Sequence, residues 1–156
     1  MTVQLEIGQQ APGFSLADST GKQVSLSDFA GQNVVVYFYP KAATPGCTTE
    51  ACDFRDSLDS LNAAGYRVVG ISPDAPEELA AFANDFALTY PLLADKDHEV
   101  ASRWGAWGDK VVNGQAMQGI LRSTVVVDGE GKVALADYNV SADGHVADLR
   151  SRLESM

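Results

Sequence analysis

Six apolar residues in a row, Val34-Val35-Val36-Tyr37-Phe38-Tyr39, run into Pro40. β-Branched and aromatic side chains with no polar alternation suit a strand covered on both faces, and proline, which has no N–H to donate, ends it. Four residues later, Thr44 is an N-cap candidate followed by Pro45 at the first helical position, so a helix starts there and runs to about Gly65. Ala51, Phe54, Leu58 and Leu61 recur along it at helical spacing. A strand buried on both sides must be covered by further layers, so this stretch commits the chain to a layered α/β architecture.

The remaining pattern agrees. Phe14–Leu16 and Val24–Leu26 alternate around Asp18-Ser19-Thr20-Gly21 and read as a β-hairpin. Tyr66–Ile71 reads as a strand, Pro76–Phe86 as a helix, Tyr90–Ala94 as a short strand and His98–Trp104 as a helical segment. Ile120–Val127 and Lys132–Tyr138 read as strands joined at Asp128-Gly129-Glu130-Gly131, and Asp143–Leu153 closes the chain as a helix. The order ββ, βαβαβα, ββα predicts a thioredoxin-like α/β fold, a central mixed sheet flanked by helices, with an N-terminal β-hairpin addition. At 156 residues, without repeats, low-complexity tracts or linkers, residues 1–156 are expected to form a single domain.

Composition excludes several functions. Eleven basic against twenty-one acidic residues leave a net charge of −10, which repels nucleic acid and anionic lipid. The longest apolar run is six residues, where a membrane helix needs about twenty. The first ten residues carry no Lys or Arg and no apolar core of a secretory signal, so the expected location is cytoplasmic.

The chain has two cysteines, Cys47 and Cys52, too few for a disulfide framework or a cysteine-rich zinc site. With Thr44 as cap, Cys47 lies in the first helical turn, where unpaired N–H groups and the dipole favour a thiolate. Thiols at helix N-termini beside a cation ionise well below the usual value of about 8.5. Cys47 shares a face with Ala51, Phe54 and Leu58, while Cys52 lies about 140° away, towards Asp56 and Asp59. Residues five apart in a helix have Cα atoms about 8–9 Å apart, beyond the roughly 7 Å limit for a disulfide. A Cys47–Cys52 bond therefore requires the helix N-terminus to unwind. The bland alternative is two inert buried thiols. The C-x-x-C of a disulfide shuttle is absent, which leaves oxidation of Cys47 to a sulfenic acid and its condensation with Cys52.

Pro40-Lys41-Ala42-Ala43-Thr44-Pro45-Gly46-Cys47 fits the P-x-x-x-T-x-x-C signature of the peroxiredoxins. Thr48-Thr49-Glu50-Ala51-Cys52 resembles the bacterioferritin comigratory protein (PrxQ) branch, of atypical two-cysteine type. Gly8–Leu16 resembles the family's entry segment, Gly70-Ile71-Ser72 the strand after the active-site helix, and Gly119-Ile120-Leu121-Arg122-Ser123-Thr124 its arginine strand. The resemblance implies that Cys47 is the peroxidatic cysteine and Cys52 the resolving one. It further implies that Thr44 holds the peroxide, Pro40 shields the thiolate and Arg122 fixes thiolate and peroxide oxygens. A cation beside both anions is also what the chemistry asks for. Val125 departs from the aromatic common after R-S-T, a change expected to affect packing alone. Glu50 reads either as orienting the arginine or as a solvated first-turn carboxylate. Trp107 matches a position often tryptophan in the branch, and beside Trp104 it reads as core or pocket wall.

The implied activity is reduction of hydrogen peroxide and organic hydroperoxides, with thioredoxin or a similar dithiol protein as reductant, no metal or other cofactor, and a monomeric state. A cysteine hydrolase would need a histidine base, and His98 and His145 read as surface residues. Asp95, Asp97, His98 and Glu99 read as a solvated acidic loop rather than a metal site. A thiol–disulfide oxidoreductase on the same fold and a redox-regulated binding module are the alternatives, and peroxide turnover abolished by Cys47→Ser discriminates against the latter.

Overall fold

The computed structural model describes residues 4–154, without the side chain of Val112; the ends of the expected 1–156 domain lie outside the described residues. The apolar run forms β3 (Asn33–Phe38). It pairs in parallel with β4 (Tyr66–Ser72) and antiparallel with β8 (Ser123–Val127). β5 (Leu92–Ala94) extends the sheet beyond β4 in parallel, and β9 (Val133–Asp137) beyond β8 in antiparallel sense. The spatial order β5-β4-β3-β8-β9 makes β3 the middle strand, as its composition requires.

Alternation along β3 divides the core in two. Val35, Tyr37 and Tyr39 face α1 (Pro45–Ala63), α2 (Pro76–Phe86) and α4 (His145–Glu154), packing with Phe54, Leu61, Phe82 and Leu149. Val34, Val36 and Phe38 face the opposite layer, built from α3 (Glu99–Arg103), Trp104 and the N-terminal residues Leu5 and Phe14. Val125, the departure from the aromatic, is a fully buried member of that second layer. The N-terminal hairpin is β1 (Ser15–Ala17) with β2 (Gln23–Ser25), and Asp18 closes its turn by accepting from the Thr20 and Lys22 amides. α1 ends where Gly65 takes φ +91°, a conformation glycine adopts freely.

Two expectations need correction. Ile120–Val127 is not one strand: β7 (Gln115–Ile120) ends and β8 begins at Ser123, with Leu121 and Arg122 between them outside either ladder. β7 pairs instead with β6 (Trp107–Val112) in a hairpin outside the main sheet, which the sequence reading passed over. Asn113-Gly114 was its available signal. Both residues take positive φ, 53° and 79°, as a two-residue hairpin turn demands.

Candidate active site

The site is assembled where β3 gives way to α1. Past the strand, the Tyr39 amide still donates to the Ile71 carbonyl at 3.1 Å. The chain then loops outward and is tied down by the Ala42 amide donating to Asp74 Oδ2 at 2.7 Å. Asp74 is buried and also accepts from the Ser72 hydroxyl, so the loop is anchored to the end of β4. Ala43 sits at φ +66°, a left-handed conformation costing a non-glycine residue about 1–2 kcal/mol. The turn aims the chain into α1, where Thr44 holds the extended N-cap conformation and Pro45 the first helical position. The Thr44 hydroxyl departs from the expected capping role: it donates to the Lys41 carbonyl at 2.7 Å and makes no cap hydrogen bond. Pro40 stands half-buried at the start of this loop.

Cys47 is buried in the first turn, its sulfur approached by Arg122 Nη2, which donates to Sγ at 3.3 Å. Gly46 leaves room for the approach: a Cβ there would lie 3.2 Å from Arg122 Nη2, close enough to push the guanidinium back slightly. The other guanidinium arm donates to Glu50 Oε1 at 2.7 Å. Glu50 has no exposed surface, which removes the solvated reading of this residue. Burial pushes its carboxyl up and Arg122 pulls it back down, leaving it at about 7; its Oε2 has no hydrogen-bond partner. A single arginine thus bridges the thiol and a buried acid across the helix N-terminus.

The break between β7 and β8 is what turns Arg122 to the site, and each peptide group around it is held separately. The Leu121 amide donates to the Ala106 carbonyl at 2.7 Å, the Ser123 hydroxyl to the Leu121 carbonyl, and the Val140 amide to the Arg122 carbonyl. Lys110 Nζ, from β6, donates to the Ile120 carbonyl at 2.7 Å.

Cys52 lies half-buried further along the unbroken α1, and both cysteines are free thiols. The carbonyl of the intervening Ala51 accepts from Tyr90 Oη at 2.9 Å, and Tyr90 in turn pairs with Tyr37 Oη at 2.7 Å. Arg55 reaches from the next turn to the Phe86 carbonyl. The structure therefore brings Cys47, Thr44, Pro40 and Arg122 to one end of the sheet, with Cys52 behind them on the same helix.

The residues 7–136 match the AhpC/TSA family, a span that holds the whole site. Over 152 residues, 97% of each chain, 55% are identical to a putative peroxiredoxin of Mycobacterium tuberculosis. The chain belongs to the AhpC/TSA family, among the Bcp/PrxQ peroxiredoxins. Peroxiredoxin Bcp of Escherichia coli is 50% identical over 129 residues, 83% of each chain. The solved structure of Xanthomonas campestris peroxiredoxin Q superposes with a TM-score of 0.87 at 33% identity, covering 99% of this chain and 97% of that one. As a peroxiredoxin, the protein is a thiol-dependent peroxidase with a thioredoxin-like fold.

Two other sequence readings around this peroxiredoxin's site, those of His145 and Asp95, are corrected. His145 is buried, not on the surface, with Nε2 at 2.7 Å from the Thr124 hydroxyl; burial lowers its basicity. Asp95 is buried too, its oxygens accepting from the Val100 and Ala101 amides at the start of α3. Trp107 is half-buried and stacks on His98, with centroids 3.6 Å apart. Among the described residues, no group of His, Cys, Asp and Glu side chains is arranged to hold a metal. Asp74 was missed, because nothing local marks it: it holds the active-site loop only through the tertiary fold.

Proposed function

We propose that Cys47 is the peroxidatic thiolate, Cys52 the resolving cysteine, and Thr44, Arg122 and Pro40 the groups that bind, polarise and shield. The observation that carries this reading is the Arg122 Nη2 to Cys47 Sγ hydrogen bond in the first turn of α1. The thiolate attacks the terminal peroxide oxygen in line with the O–O bond. An S–O bond forms, the O–O bond breaks, sulfur loses two electrons, and the departing oxygen takes up a proton to leave as water or an alcohol. Arg122 stabilises the charge on the oxygens as it develops. Because the Thr44 hydroxyl has given its one proton to the Lys41 carbonyl, it can meet the peroxide only as an acceptor, which suits the hydrogen of the attacked O–H.

Cys52 then attacks the sulfenic sulfur, water leaves and the disulfide forms. Both thiols occupy one continuous helix, so this step requires the first turns of α1 to open. A thioredoxin-type dithiol protein returns the pair to thiols. Hydrogen peroxide and alkyl hydroperoxides are the proposed substrates. The alkyl peroxide reduction activity named for the bacterioferritin comigratory protein of Xanthomonas campestris, 32% identical to this chain, supports the second class. A cytoplasmic location suits a chain with two cysteines, too few for the disulfide framework of a small secreted fold, and a single domain acting as a monomer is the state the branch resemblance implies.

The test is single-turnover oxidation by hydrogen peroxide. Wild type should lose two thiols per peroxide, Cys47→Ser should not react, and Cys52→Ser should stop at a sulfenic acid. Rapid turnover by Cys47→Ser would refute the assignment.

A further inference from the structure

Whenever Glu50 is ionised, the charges at the site do not balance on Arg122 alone. Its guanidinium is ion-paired to Glu50 at 2.7 Å, inside the protein, so with Glu50 ionised the pair as a whole carries no net charge. It offers the sulfur a directed hydrogen bond but little net positive potential. A second cation stands close by. Lys110 is half-buried on β6, and by the alternation of that strand it shares a side with Gly108, whose position faces the Leu121 side chain, while Asp109 and Val111 point the other way. Its aliphatic stem crosses to the neighbouring strand over Gly119, where a Cβ would come within 3.1 Å of Lys110 Cδ. The ammonium ends on the Ile120 carbonyl, two residues before Arg122.

Among the described residues, no carboxylate lies within ion-pair distance of Lys110; the charges that bear on it are those of Arg122, which opposes its own, and Cys47, which favours it. A half-buried ammonium beside an arginine and without an acid is costly unless an anion is its counterpart. The anion available is the Cys47 thiolate.

We propose that Lys110 is a positioning residue of the peroxidase site, supplying the net positive charge that the Cys47 thiolate needs and bracing the turn that carries Arg122. The inference rests on the reading of Cys47 as the attacking thiolate. The sulfur and Arg122 make the direct contacts. Lys110 acts on them through its field and through the Ile120 carbonyl, and Gly119 is what lets it reach.

The experiment compares Lys110→Met and Lys110→Arg in the full chain, with Cys47→Ser as control. Iodoacetamide alkylation of Cys47 is followed across pH in a Cys52→Ser background, and hydrogen peroxide consumption in the Cys52-containing proteins. Lys110→Met should alkylate and consume peroxide about three- to tenfold more slowly at neutral pH, with the alkylation profile displaced to higher pH and the plateau rate at high pH retained. Lys110→Arg should recover most of the loss, since it restores charge and a donor. An alkylation profile for Lys110→Met that overlays wild type would overturn the proposal, as would Lys110→Arg behaving like Lys110→Met. A lower plateau without displacement would also overturn it, by assigning Lys110 a packing role alone. Peroxide consumption surviving in Cys47→Ser would instead remove the reading of Cys47 on which the proposal stands.

Discussion

A carboxylate with no exposed surface must be paired or protonated, and Glu50 sits at the boundary between the two. Its carboxyl is raised from 4.5 to about 7, against the pull of Arg122. A raised acid binds its proton more tightly in the folded chain, so the stability it lends is complete below pH 4.5 and is lost as pH rises through about 7. Glu50→Gln, which mimics the protonated acid and does not titrate, should remove that pH dependence, on the order of a few kcal/mol: in urea the variant should match wild type below pH 4.5 and become the more stable of the two as pH rises from 4.5 to 7. Parallel curves would contradict it. Arg122→Met should slow the peroxide step by roughly 10²–10³-fold, and should cost about 1–3 kcal/mol by leaving Glu50 in the core without its partner. Adding Glu50→Gln to Arg122→Met should recover stability but not rate, a separation that a double-mutant cycle reads directly. Arg122 is legible in the sequence, whereas Glu50 reads there equally as a partner of the arginine or as a solvated helix residue, and only its burial decides between the two.

At the scale of elements, α1 carries both thiols and must be stable enough to position Cys47 yet open far enough to release it. Its start lacks a side-chain cap and follows a strained Ala43, while Tyr90 and Arg55 clamp the following turns. Tyr90→Phe removes the donor to the Ala51 carbonyl and strands the Tyr37 hydroxyl in the core, a loss of about 1–3 kcal/mol. It should speed disulfide formation after oxidation while leaving the first peroxide step unchanged, which stopped-flow tryptophan fluorescence separates. Amide exchange should show residues 45–52 losing protection in the disulfide form while α2 keeps its own; equal protection in both redox states would refute the opening. Thr44-Pro45 made the start of α1 legible, whereas the β6–β7 hairpin was not read despite Asn113-Gly114. Its second strand is mostly exposed and its apolar residues do not alternate with polar ones, so it lacks the pattern by which a half-buried strand shows itself.

Across the whole molecule, pH acts through a second buried group with the opposite sign. His145 sits against Thr124, and burial depresses its basicity, with Arg122 and Arg152 adding to the effect and Asp137 and Asp148 opposing it. Its stabilising contribution is therefore present above pH 6.5 and lost as pH falls through its lower folded value. His145→Gln should flatten the acid limb of the stability curve; an unchanged limb would show that His145 does not drive it. The net charge of −10 adds a uniform repulsion, so the melting temperature should rise with added salt until the charges are screened.

The apolar run ending at Pro40, the capped start at Thr44-Pro45 and the spacing of the two cysteines are local patterns. From them the sequence by itself determined the central strand, the active-site helix and a nucleophile in its first turn, because each depends on neighbours within a few residues. The charge state of the site was decided only by tertiary structure. Arg122 meets Cys47 across 75 positions and Glu50 across 72, Asp74 holds the loop from the end of β4, and Lys110 arrives on a hairpin outside the main sheet. Burial and long-range electrostatics depend on which surfaces the fold closes over, and no spacing along the chain encodes that.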